Sequence, residues 1–119
     1  MKDLVNRKSR FSKGTPAVQL GNLAADLARI QSFSKNPAHA VAVRDLLEES
    51  RYFAEWAAEQ QSPDGLLLLR RLQRQLTRWL RTLDFFWNLP DARAAFSQEA
   101  SVWAQRILRQ SGLLPRMFH

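Results

Sequence analysis

Five arginines between positions 70 and 81 recur at helical spacing, with no acidic residue among them. They are Arg70, Arg71, Arg74, Arg78 and Arg81, and we call them the arginine face. At 100° per residue they share one arc of about 100°, opposite a leucine stripe. Guanidinium groups bind phosphate and carboxylate oxygens through paired N–H donors. The pattern predicts a surface for nucleic acid or an acidic protein, and the alternative is the ordinary solvated face of an amphipathic helix.

Carboxylates cluster between positions 48 and 59. They belong to Glu48, Glu49, Glu55 and Glu59. Side chains at this spacing can hold a divalent cation or act as an acid/base pair, but a solvated acidic surface explains them more simply. His39 and His119 stand in no Glu-x-x-His pair of the kind that builds a di-metal site in helical proteins. We therefore predict no catalytic residue, no metal site and no cofactor.

Large apolar side chains interrupt the same acidic segment. Val41, Tyr52 and Trp56 project away from the apolar stripe of their helix, among Glu48, Glu55 and Glu59; we call these six residues the aromatic–acidic surface. Tyrosine and tryptophan are favoured at interfaces because they bury much area with few rotatable bonds. The pattern predicts a partner interface, and the alternatives are a wide apolar face of the helix or an edge of the bundle that the N-terminal segment covers.

Start signals for helices recur four times along the chain. Thr15-Pro16, Asn36-Pro37 and Ser62-Pro63 each pair a capping residue with a proline, which suits the first helical position. A fourth start surrounds Pro90. Apolar residues follow each start at helical spacing, and the connections are short, so consecutive helices must turn back on each other. The sequence predicts an all-α fold, an antiparallel four-helix bundle with up-down-up-down topology.

The N-terminal segment, residues 1–14, has few large apolar side chains and no periodicity. We expect it to be a mobile basic arm, with residues 15–119 forming a single helical bundle domain. Its positive charges include Arg7, Lys8, Arg10 and Lys13, which are candidate anion contacts together with the arginine face.

The composition narrows the function classes. The chain of 119 residues fits one domain with one core, and its net charge of +7 favours polyanionic partners. It contains no cysteine, which excludes disulfides, zinc–thiolate sites and a cysteine nucleophile. No apolar run reaches the 18 residues of a membrane span. We therefore expect a cytoplasmic location.

Three short strings resemble small uncharacterised helical proteins of cyanobacteria. They are 27–33 (LARIQSF), 48–56 (EESRYFAEW) and 103–108 (WAQRIL). The resemblance implies an all-helical fold, carries no activity with it and leaves residues 1–14 unmatched.

These observations predict a non-enzymatic interaction or scaffold protein that self-associates, most simply as a homodimer, through the aromatic–acidic surface. Another protein is a further possible partner. The alternative is a nucleic-acid-binding accessory protein that uses the basic arm and the arginine face. Salt separates the two hypotheses, because phosphate binding weakens steeply with ionic strength and an aromatic interface does not.

Overall fold

The computed structural model describes residues 3–112, and this part of the chain is all-helical, with no strand. Its α-helices are α1 (Leu4–Ser12), α2 (Pro16–Phe33), α3 (Ala40–Ala58), α4 (Pro63–Phe86) and α5 (Pro90–Ser111), with a 3-10 turn at Pro37–His39. The all-α prediction is confirmed. A count of four helices is not, because residues 4–12 form a fifth. No helix within the described range combines the length and the apolar character needed to cross a bilayer.

The predicted cap-plus-proline signals begin two of the helices directly. The Thr15 hydroxyl accepts a hydrogen bond from the N–H of Val18 at 3.2 Å, and the Ser62 hydroxyl accepts one from Gly65 at 3.3 Å. Each bond satisfies an N–H group that has no partner inside its helix. Asn36 caps the 3-10 turn instead, and α3 begins only after it.

The apolar stripes of the longer helices meet in one core. Helix α2 packs closely against both α3 and α5, and α3 packs against α4. The most deeply buried large side chains are Leu20, Leu23, Leu27, Ile30, Leu47, Leu69, Leu72, Leu76, Leu83 and Ile107. Trp79 is also buried, and the edge of its ring meets Phe96 at a centroid distance of 4.9 Å, which joins α4 to α5.

Helix α1 rests on α3 through one aromatic anchor. Phe11 is 5% exposed; its ring stacks on Phe53 at 4.5 Å and lies 5.7 Å from Trp56. Burying a phenylalanine side chain contributes roughly 1.5–3 kcal/mol. Residues 4–12 therefore form a helix that packs on α3, which the lack of periodicity in the sequence did not indicate, and the mobility of the arm stays a prediction. The boundary predicted at residue 14 stays a prediction.

One end of the molecule is tied together by Arg93. Its Nε donates to the carbonyl oxygen of Ser34 at 3.1 Å, and its Nη1 donates to that of Trp87 at 2.8 Å. These carbonyls belong to the C-terminal caps of α2 and α4, where a cation also meets the negative end of each helix dipole. Trp87 in turn donates from its indole nitrogen to the carbonyl oxygen of Pro37 at 2.7 Å.

Candidate functional site

The arginine face lies on the outer side of α4, and all five of its arginines are exposed. The opposite side of the same helix carries the buried Leu72, Leu76 and Trp79. The helical period fixes this division, because residues three and four apart fall on one side. The structure thus brings together all five arginines that the sequence predicts.

No counter-charge reaches the arginine face from within the described residues. None of its arginines makes an ion pair or a side-chain hydrogen bond there. Other arginines of the chain do find acids: Arg44 pairs with Asp84 at 2.7 Å, and Arg29 pairs with Asp26 at 2.9 Å. The five positive charges are therefore directed at solvent.

Two exposed apolar side chains, Leu67 and Phe85, bracket the arginine face along the helix axis. Leu67 is 51% exposed and Phe85 is 80% exposed. Between the arginine side chains lies an open surface groove of about 700 Å³, also lined by Leu67, Gln73 and Thr77. Every side chain that lines this groove comes from α4, so the helix forms the surface alone.

The basic residues of the N-terminal segment behave differently. Arg7 pairs with Glu49, and Lys8 pairs with Glu59 at 3.1 Å. Arg10 and Lys13 remain exposed. Two of the four predicted anion contacts of this segment are thus paired with carboxylates of α3. They are separate from the arginine face, which lies on α4.

The aromatic–acidic surface is only partly open to solvent. Val41 is 75% exposed, and Glu48, Glu55 and Glu59 are exposed as predicted. Trp56 is 6% exposed, because the ring of Phe11 lies against it, and the half-buried Tyr52 stacks on it at 5.6 Å. The expectation that both rings face solvent is wrong for Trp56. The alternative of a covered edge describes this position.

A buried carboxylate escaped the sequence analysis. Asp26, on α2 beside Glu49 of α3, is 2% exposed, and its Oδ2 accepts no hydrogen bond from within residues 3–112. Burial, together with the neighbouring Glu49, raises the pKa of Asp26 to about 8, and Arg29 opposes part of the rise. The signal was present in the sequence, since Asp26 falls in line with the apolar residues Leu23 and Ile30.

The histidines and the acids form no metal centre in the range that the structure covers. Within residues 3–112 no three His, Asp or Glu side chains stand close enough together to hold an ion. His39 is half-buried, with its ring edge-on to Phe33 at 5.3 Å. His119 lies outside the described residues.

Comparison with protein-family models, with curated proteins and with solved structures finds no match to this chain. The cyanobacterial resemblance therefore stays a prediction, and the function is inferred from the geometry of the described residues.

Proposed function

We propose that this chain is a non-enzymatic binding protein that holds nucleic acid through the arginine face. The observation that carries the proposal is the lack of internal counter-charge: in residues 3–112, five exposed arginines on one side of α4 have no acidic partner. Like charges gathered on one helix repel each other, so the arginine face does not stabilise the fold.

The layout favours a polymer of phosphates as the ligand. From Arg70 to Arg81 the helix rises about 16 Å, and no acidic residue interrupts this length. A protein–protein interface normally combines apolar and polar residues, and charged residues are depleted at its centre. A line of one sign matches a repeating anion better, and the groove between the arginines gives room for backbone oxygens. The net charge of +7 supports the same partner.

Charge reversal of Arg74 and Arg78 tests this proposal. Binding of fluorescently labelled oligonucleotides, followed by anisotropy from ~50 to ~200 mM salt, should weaken steeply with salt in the wild-type protein. In the double variant Arg74→Glu/Arg78→Glu we expect at least tenfold weaker binding and a log–log salt slope that is shallower by roughly 1.5, because two phosphate contacts are lost.

A matched control is available on α5. Arg106 and Arg109 are exposed there, and the variant Arg106→Glu/Arg109→Glu changes the net charge by the same amount on another helix. It should retain most of the affinity. Equal weakening by both double variants, or no wild-type binding at ~50 mM salt, overturns the proposal.

Self-association is the second candidate function. The exposed Glu48, Glu55 and Glu59 are complementary in charge to the arginine face of a second copy, and the exposed Val41 and half-buried Tyr52 add apolar area. Sedimentation equilibrium at ~100 μM, where a micromolar contact is formed, distinguishes the two. A dimer that Tyr52→Ser dissociates supports this candidate, and a wild-type monomer retires it.

The helix topology and the cellular location are two further proposals. Helices α2 to α5 are proposed to form the up-down-up-down bundle, with α1 added outside it. Contacts that step in opposite directions support it: Ser97 donates to Gln31 and Arg93 to Ser34. Distances between spin labels at the helix ends would check this topology. The cytoplasmic location likewise stays a proposal, to be checked by fractionation.

A further inference from the structure

We propose that the arginine face takes single-stranded rather than duplex nucleic acid, with Phe85 as the platform on which an unpaired base stacks. This inference rests on the proposed function, since it assigns the form of nucleic acid that the same surface holds. It depends on a different observation, the position of one aromatic ring.

Phe85 has no role in the core. Its ring is 80% exposed, although the helix continues through Phe86, whose ring packs on Phe96 at a centroid distance of 5.0 Å. The next residue, Trp87, is also buried. The end of α4 is therefore fixed by its neighbours, and Phe85 projects from a rigid backbone into solvent.

The ring is in line with the guanidinium groups. Phe85 follows Arg81 by four residues and Arg78 by seven, which are one and two helical turns, and all three point to the same side. One turn corresponds to about 5.4 Å along the axis. A nucleotide whose base lies on Phe85 thus has its backbone within reach of Arg81, and the strand continues toward Arg78 and Arg74.

This combination is the chemistry of single-strand binding. A positively charged track holds the backbone while aromatic rings stack on successive bases, without regard to sequence. In a duplex the bases are already stacked on one another, so a ring that projects from the side of a helix has no free base to meet. Phe85 therefore adds affinity for a single strand and adds none for a duplex.

An anionic lipid surface is the main competing ligand. Arginines can contact its headgroups while Leu67 and Phe85 enter the acyl boundary. The face carries charge of one sign along a single line, however, and only its two ends are apolar, whereas an interfacial helix presents a continuous apolar side. That apolar side of α4 is buried in the core. The arrangement thus favours the nucleic acid, and vesicles become one arm of the test.

The experiment compares Phe85→Ala with wild type on three probes: a labelled oligothymidylate of about 20 nucleotides, a duplex of the same length, and vesicles containing phosphatidylserine. Because stacking on one base is worth about 5- to 140-fold in affinity, we expect Phe85→Ala to weaken oligothymidylate binding by that factor and to leave duplex binding unchanged. Phe85→Trp should retain the wild-type affinity. Val5→Ala, which removes a similarly exposed apolar side chain from α1, should change nothing.

The outcomes separate the two proposals. Wild-type protein that binds both oligonucleotides alike, with Phe85→Ala indistinguishable from it, overturns the single-strand assignment and leaves the proposed function standing. Binding to neither oligonucleotide overturns both. Binding to vesicles alone, weakened by Phe85→Ala, replaces nucleic acid with an anionic membrane. Because Phe85 is exposed, circular dichroism should show the variant folded like wild type, which keeps the affinities comparable.

Discussion

Helices α1 and α4 are both basic, yet their positive charges differ in whether acidic side chains pair with them. On α1, Arg7 and Lys8 are paired with Glu49 and Glu59 of α3. On α4, the arginine face has no such partner among residues 3–112. Each helix also carries a phenylalanine near its C-terminal end that differs in burial: Phe11 of α1 is buried against α3, whereas Phe85 of α4 is exposed to solvent.

The difference shows that the sign of a helix's charge does not tell whether its charged residues hold the helix to the fold or are available to a ligand. Basic residues opposite acids fasten a helix to its own chain, whereas basic residues opposite solvent are available to a ligand. The sequence alone presents both helices as anion contacts. Only the packing separates the one that serves the fold from the one that is free to bind.

The largest expected effect concerns the two phenylalanines. Replacing Phe11 by alanine should lower the free energy of unfolding by about 3–5 kcal/mol, because a buried ring leaves a cavity against Phe53 and Trp56. Phe85→Ala should change it by less than ~0.5 kcal/mol, since the exposed ring touches little. Urea denaturation of both variants checks the contrast. Equal stability of the two would mean that α1 does not fasten to α3.

The buried carboxylate of Asp26 makes the free energy of unfolding depend on pH. The folded pKa of Asp26 is about 8, against an ordinary value of 3.8, so between these values the folded chain binds more protons than the unfolded chain. The free energy of unfolding should therefore fall as pH rises from about 4 to about 8. Glu49 from α3 and Arg29 on α2 surround the group, and Arg7 from α1 pairs with Glu49.

Denaturation series from pH 4 to 8 on wild type and Asp26→Asn measure this dependence. The asparagine cannot ionise, so its series should be much flatter. A wild-type free energy of unfolding that stays constant over this range would contradict the assignment of a neutral Asp26 at neutral pH.

The smallest effect separates the arginines of the two helices. Arg7→Gln removes a half-buried ion pair and should cost about 1 kcal/mol. Arg74→Gln should stay within ~0.5 kcal/mol of wild type, since no carboxylate is lost. Thermal melts at low salt resolve the pair of variants. A destabilising Arg74→Gln as large as Arg7→Gln would show that the arginine face serves the fold after all.

Much of the architecture is contained in local patterns. The capping residues Thr15 and Ser62 begin α2 and α4 as predicted, and Trp79 lies in the core where the leucine stripe places it. The exposure of the arginine face follows from the same period. These features depend on residues within a few turns of one another, which is the range over which a sequence pattern is informative.

What the sequence missed depends on contacts between distant segments. The Arg7–Glu49 pair joins residues 42 positions apart, and nothing near Arg7 announces it. Helix α1 has too few apolar residues to show a stripe, so its one anchor, Phe11, carried no visible signal. The cover over Trp56 was only an alternative in the sequence for the same reason, because the ring that covers it comes from α1.

The guanidinium of Arg93 has a consequence for how the molecule opens. It holds the carbonyls that end α2 and α4 from within the first turn of α5, so fraying of any of these three helix ends breaks a bond that also holds another. Native-state hydrogen exchange should therefore find the amides around this end protected to a common free energy, as one cooperative unit. A single side chain thus couples the unfolding of segments that lie more than fifty residues apart along the chain.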